Sequence, residues 1–338
     1  MRVKKIKGLK PLLTKGETLW VSDGYRILKT IDRGNSFKEV VKYRASIKDR
    51  LKSVSNLSRR LFRMGFHGLN ELPDGSLIGL VRGKIIKCGP SSKEFNTVFT
   101  IPRGSRPLNI CNFPDGRLFF GEYFSNEERK EVNIYGSYDY GETWQVVHTF
   151  PEGSVRHVHG IYYDFFRKGA WILTGDIEDE CRILFTGDGF KNVSTELIGT
   201  QMYRAVAIIP MENGLIIPTD TPLEQNYIQL YDINSKTIKR VQNIEGSAFY
   251  TLECGGTLLV STVVEPSDIN KTKYAKIYIS KDGESWRELY SQKKDVWHLK
   301  YFQYGSLILP QGLSGDSVIY AYGQGVQKDD GYLLIFEA

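Results

Sequence analysis

Ser137-Tyr138-Asp139-Tyr140-Gly141-Glu142-Thr143-Trp144 carries the densest structural signal in the chain. A hydroxyl residue, an aspartate, a glycine, a second hydroxyl and an aromatic residue at this spacing describe a tight β-turn. The carboxylate accepts backbone N–H bonds, the glycine takes the left-handed backbone position, and the ring covers the sheet beneath. Thr30-Ile31-Asp32-Arg33-Gly34-Asn35-Ser36-Phe37 repeats the pattern with phenylalanine in the aromatic place. Ser280-Lys281-Asp282-Gly283-Glu284-Ser285-Trp286 is one residue shorter, and Thr186-Gly187-Asp188-Gly189 keeps the front half. Aspartates used in this way tie turns and are not catalytic candidates.

Working outward, a second pattern runs in phase with the first. GLNELPDGSLIGLVRG ending at Gly83, PLNICNFPDGRLFFGEYF ending at Phe124 and VAIIPMENGLIIPTD ending at Asp220 each read as strand, tight turn, strand. TLECGGTLLVSTVV ending at Val264, LKYFQYGSLILPQG ending at Gly312 and the longer-turned HGIYYDFFRKGAWILTGD ending at Asp176 belong with them. Asp-Gly, Asn-Gly and Gly-Gly supply the positive φ that hairpin turns require. A hairpin recurring every roughly 40 to 50 residues is the mark of a β-propeller. The spacing predicts one all-β domain over 1–338, a seven-bladed propeller with four antiparallel strands per blade. Innermost strands are expected to start near 10, 66, 105, 156, 203, 249 and 297. The last blade would close with strands near 318–322 and 332–336.

The S/T-x-D-x-G-x-S/T-W/F turns, together with the hairpin period, resemble the Asp-box or BNR repeats of the sialidase-like propellers over nearly the whole chain. That superfamily includes glycoside hydrolases, polysaccharide lyases and non-enzymatic assembly factors, so the likeness implies a fold and leaves function open. A true sialidase is not implied. The nearest string to the sialidase Arg-Ile-Pro motif, Thr100-Ile101-Pro102-Arg103, has the wrong order and falls in the wrong blade.

The chain has 338 residues with 45 Lys+Arg against 39 Asp+Glu, a net charge of +6. This mild excess, without interleaved base-stacking aromatics, makes nucleic acid an unlikely partner. No apolar run reaches the roughly 20 residues of a membrane helix, so no membrane association is expected. The basic start, Met1 to Lys10, lacks the apolar stretch of a signal peptide, and the expectation is a cytoplasmic protein. Cys88, Cys111, Cys181 and Cys254 lie far apart without metal-ligand spacing and are expected as buried thiols. The one biased segment is 47–64, after the first blade. Leu51, Val54, Leu57 and Leu61 recur at helical spacing beside Lys48, Arg50, Lys52, Arg59, Arg60 and Arg63. This predicts a short amphipathic helix with its apolar face inward, its arginines either widening an anionic footprint at the channel mouth or simply solvated.

In a propeller the innermost strands line a central channel whose mouth commonly holds the ligand. Those strand starts read Phe66-His67, Ser105-Arg106, Arg156-His157-Val158-His159, Tyr203-Arg204, Phe249-Tyr250 and Trp297-His298. The ends of the second strands add Glu122, Asp176 and Asp220. Arginine binds carboxylates with paired donors, whereas histidine and tyrosine suit proton transfer. The expected pocket therefore has His157, His159 and Tyr250 as catalytic residues, with Arg106, Arg156, Arg204, Glu122 and Asp176 contacting substrate and His67 and His298 on its far wall. This outfit suits β-elimination on a uronate-containing acidic oligo- or polysaccharide. Hydrolysis by a Glu122–Asp176 carboxylate pair, and non-catalytic binding of glycan or protein, are the alternatives. His157-x-His159 is also half of a metal site, since alternate strand residues share a face, although no cofactor is expected.

Overall fold

The computed structural model describes residues 2–315 and 317–337, and among them the chain is β-structure with three short helices and two 3-10 turns. Hairpins form where the sequence places its turn glycines, and each pair of hairpins builds a four-stranded antiparallel ladder. The first ladder comprises Lys10–Gly16, Thr18–Asp23, Arg26–Thr30 and Lys38–Tyr43. The next comprises Gly68–Glu71, Leu77–Val81, Lys84–Cys88 and Glu94–Thr100. Ladders then begin at Cys111, His157, Ile209 and Ala248 and end at Phe150, Ile198, Ile244 and Lys293. In the last ladder Gly305–Ile308, Ile319–Gln324 and Tyr332–Glu337 are joined by Arg2–Lys7, so the two ends of the chain share one sheet. Additional pairings, such as Gln311–Ser314 running parallel beside Lys10–Gly16 and Ala248–Cys254, connect several ladders into one larger sheet.

Each ladder is apolar on both faces, which is why its central strands read as unbroken hydrophobic runs rather than alternating ones. Gly169–Gly175 and Thr257–Val264 are buried along their whole length. The cores lie between neighbouring ladders. Phe119, Ile134 and Cys111 pack on Val158, Ile172 and Leu184, and Trp171 and Leu173 pack on Leu215, Ile217 and Tyr231. Leu19 and Val21 of the first ladder meet Tyr320, Leu333 and Ile335 of the last, which closes the ring.

The four aspartate turns share one hydrogen-bond pattern. Asp139 Oδ1 accepts from Thr143 N–H at 2.9 Å and from Ser137 Oγ at 2.9 Å, and Gly141 sits at φ +83°. Asp32 and Asp282 repeat it with Ser36 and Ser285 N–H at 3.0 and 2.7 Å. Asp188 does so with Asn192, whose amide replaces the missing second hydroxyl.

Three expectations need correction. The innermost strands of the third, fifth and last ladders start at Cys111, Ile209 and Gly305, later than 105, 203 and 297, because irregular segments precede them. Arg2–Lys7, ahead of the first expected strand and given no element by the sequence, pairs with the C-terminal strand and completes a last blade expected to close with 318–322 and 332–336 alone. The insertion forms two helices, Ile47–Leu51 and Asn56–Phe62, separated at Ser55, whose side chain caps the second one. Its polarity is inverted. Leu51, Val54 and Leu61 are exposed, whereas Arg60 is 3% exposed and bonds Asp295 Oδ2 at 2.6 Å and the Phe302 carbonyl at 2.7 Å. Arg60 is an anchor between the insertion and the last ladder. Its partners lie far away in sequence, out of reach of any periodicity argument.

Candidate functional site

A cavity of about 1040 Å³ occupies the centre of the ring, lined by innermost strands together with the second insertion helix. One group of charged side chains lines it; a second, chemically distinct group is not part of the lining and is buried behind Tyr123.

The first group is cationic. Lys10, at the start of the first innermost strand, together with His67 and Arg106, lines the cavity, and Arg63 stands at the helix end above. Lys10 Nζ donates to the Phe66 carbonyl at 3.2 Å, and His67 Nε2 lies 3.0 Å from the Arg63 carbonyl. Among the described residues no carboxylate pairs with Lys10, His67, Arg63 or Arg106. The electrostatics follow from this arrangement. Burial and then the Arg106 charge push the Lys10 ammonium down to about 8. Burial, Arg106 and Lys10 hold His67 well below its ordinary value, so it is neutral. Burial also lowers Arg106, opposed by the Tyr250 hydroxyl nearby. Tyr250 lines the same cavity, and burial raises its hydroxyl.

The second group surrounds Asp176, at the end of the second strand of the fourth ladder. His157 and His159 point from the adjacent innermost strand, where a bulge interrupts the register between Val158 and Gly160. His159 Nε2 is 3.1 Å from His157 Nε2 and 3.2 Å from Asp176 Oδ1, and His157 Nε2 is 3.6 Å from the same oxygen. Arg156 Nη1 bonds Asp176 Oδ2 at 2.8 Å and its other terminal nitrogen bonds Glu127. Arg204 Nη2 lies 3.3 Å from Asp176 Oδ1, and its Nε is 3.6 Å from Asp220 Oδ2. Burial pushes Asp220 up to about 8 despite Arg204, leaving a carboxyl largely protonated at neutral pH. Gly175 is a packing requirement here: a Cβ at that position would stand 2.6 Å from His159 Cε1. The Tyr123 ring packs on His157 at 4.3 Å between centroids and also lines the cavity.

The structure brings Arg156, His157, His159, Asp176 and Arg204 together in one buried cluster and places His67, Arg106 and Tyr250 on the cavity wall, so the single pocket expected for both sets is divided in two. Two residues fall elsewhere. Glu122 is fully buried, with its carboxylate bonded to Arg103 and to Asn133 N–H at 2.8 Å, so it is a structural ion pair. His298 is exposed and caps the helix Leu299–Phe302 by accepting from Lys300 N–H at 3.2 Å, because this helix precedes the strand expected there. Arg156 and Arg204 already have protein carboxylates and are not an open clamp. Lys10 and Tyr123 also line the cavity and are not among the residues expected there. Lys10 occupies the strand-start position that selected the other residues, so the same rule applied to the first blade finds it. Tyr123 follows Glu122 and, by strand alternation, faces the opposite side.

No protein-family model matches the chain, and neither does any curated protein sequence. Among solved structures, an oligogalacturonate lyase in complex with manganese superposes with a TM-score of 0.63 at 9% identity, over 98% of this chain and 90% of that one. YCF48 from Cyanidioschyzon merolae gives 0.57 at 13% identity, over 100% and 99%. The GH74 xyloglucanase from Xanthomonas campestris gives 0.58 at 11% identity, over 86% of this chain and 47% of that one. At these identities the likeness is one of fold, and the fold is a β-propeller.

Proposed function

We propose that the central cavity binds a uronate-containing acidic saccharide, and that the chain is a seven-bladed, sialidase-like propeller acting on it by β-elimination. The seven successive ladders and the carboxylate-tied turns support the blade count and the kinship. One observation carries the ligand class: Lys10, His67 and Arg106 share a wall of the cavity with no carboxylate partner, a positive field that an anionic ligand would complete. A cavity of about 1040 Å³ is of the size that holds small ligands. In the elimination, Arg106 neutralises the uronate carboxylate and so acidifies the C5 proton. Lys10, with its ammonium near 8, is partly neutral and accepts that proton. The C4–O bond then breaks, the electron pair forms the C4=C5 double bond, and Tyr250 returns a proton to the leaving oxygen. These roles replace the expected ones of His157 and His159, whose Nε2 atoms face each other and Asp176.

The test is a panel of uronate oligosaccharides, with neutral oligosaccharides as controls, followed by calorimetry and by ultraviolet absorbance of the unsaturated product. Binding of acidic members alone, weakened by salt and by Arg106→Ala, is the expected result. Equal affinity for neutral sugars would reject the reading. Tight binding without absorbing product would favour the non-catalytic alternative. That second reading has an observation of its own: Ile47 and Leu51 on the first insertion helix, Val54 between the two helices and Phe62 at the end of the second are exposed, as are Val296 and Trp297 before the helix Leu299–Phe302, against which the second insertion helix packs. An apolar rim of this kind suits an acidic peptide partner.

A further inference from the structure

The proton positions around Asp176 can be worked out from its neighbours. His159 Nδ1 lies 3.0 Å from the Ala205 carbonyl, and His157 Nδ1 lies 3.2 Å from the Phe124 carbonyl. A carbonyl only accepts, so each Nδ1 carries a proton, and a ring with that one proton presents a bare lone pair at Nε2. Those two lone pairs and Asp176 Oδ1 face one another at 3.1, 3.2 and 3.6 Å. Three acceptors therefore converge with no hydrogen among them. A single extra proton would draw one pair to the roughly 2.7–2.9 Å of a charge-assisted hydrogen bond and leave the third atom out. None of the three separations is that short.

A central cation accounts for all three. Ligands on one face of a tetrahedron stand about 1.63 bond lengths apart, so these separations correspond to bonds of about 2.0 Å, the length of Zn–N and Zn–O bonds. The surroundings have the form that metal-ligating histidines require, each ring held by a backbone carbonyl at its other nitrogen. Asp176 is oriented likewise, its second oxygen taken by Arg156. Arg204 also approaches Oδ1, whereas Glu127 bonds Arg156, so one of the two guanidinium charges has a counterion of its own. We infer that His157 Nε2, His159 Nε2 and Asp176 Oδ1 form a three-ligand site for a divalent transition-metal ion of the zinc class, with a fourth position open. The inference does not depend on the saccharide reading.

The experiment uses the full-length protein stripped with a chelator, dialysed against micromolar Zn²⁺ and analysed for bound metal by mass spectrometry. One zinc per chain is expected, accompanied by a rise in melting temperature. His159→Gln and His157→Gln should each weaken binding about a hundredfold or more with unchanged far-ultraviolet circular dichroism, while His298→Gln leaves it intact. Co²⁺ should give intense visible bands in the parent protein and not in the two variants. Absence of stoichiometric zinc in the parent protein, or full retention in His159→Gln, overturns the site. Saccharide binding is read separately, so failure of one proposal leaves the other standing.

Discussion

Lys10→Met is the most informative single substitution, because it separates a ligand-binding charge from a structural one. The ordinary lysine value is 10.5, and Lys10 is held down to about 8 by burial and Arg106. At 1.36 kcal/mol per unit, full transfer of that shift would mean about 3.4 kcal/mol of instability below pH 8. Lys10 is only half-buried at the cavity wall, and solvent screening reduces this to about 1–2 kcal/mol. Methionine keeps the stem and removes the charge, and water in the cavity can take over the Phe66 carbonyl. The variant should therefore be more stable than its parent at pH 7. With an unfolding entropy of about 2.1 cal/mol/K per residue, the gain is about 1.5–3 °C in melting temperature. The sign of the pH dependence is fixed by the depressed value. Between about 8 and 10.5 the unfolded chain keeps the proton that the folded chain has lost, so parental stability rises with pH through that window. Lys10→Met should lack this rise. Affinity for a uronate oligosaccharide should meanwhile fall about 10- to 100-fold, the worth of a charge-assisted hydrogen bond. Differential scanning calorimetry from pH 6 to 10 and isothermal titration calorimetry supply the two readouts. A lower melting temperature with unaltered affinity would refute the reasoning and make Lys10 a structural residue.

Arg60→Met should destabilise by about 3 kcal/mol, since it takes both guanidinium donors from the Phe302 carbonyl and one of two cations from Asp295, which keeps Lys294. Arg59→Met, at a partly exposed position, should cost less than about 1 kcal/mol, and equal losses in urea melts would show that Arg60 is no anchor. Trp144→Ala should cost about 2–3 kcal/mol, the low end for a large aromatic, because the ring is only half-buried against Phe99 and Phe120. An unchanged melting temperature would contradict that packing.

Much of the fold is legible in the sequence because its information is local. Asp-Gly and Asn-Gly turns place the hairpins, and the clasp around Asp139 is written within eight residues. What stays hidden depends on distant partners. Nothing local marks Arg2–Lys7 as a strand, since Val3 and Ile6 break strict alternation, and only the register with Tyr332–Glu337 makes it one. The amphipathic period in 47–64 is real, yet its faces are exchanged because Arg60 finds Asp295, Asp330 and the Phe302 carbonyl. His298 shows the limit of positional reasoning: a four-residue helix displaces the strand start, and the imidazole becomes a cap.

The site divides in the same way. Strand starts do bring histidine, arginine and tyrosine to one end of the ring, but the state of each charge depends on its partner. Arg156 and Arg204 look identical in sequence to Arg106. The first two are paired with Glu127, Asp176 and Asp220, whereas Arg106 faces Lys10 and His67. The cavity therefore has a polarity that residue types alone do not show. Tyr123 stands across it. Burial raises its hydroxyl, Asp220 and Asp176 push the same way, and Arg106 and Arg204 oppose them. On the proposed reading, a saccharide with one charged and one neutral end would lie with its carboxylate toward Lys10 and Arg106 and its hydroxyls toward Tyr123. The unpaired wall works against stability of the empty protein, as expected for a binding site. A purely structural channel would have paired those charges, as Arg103 and Glu122 are paired nearby.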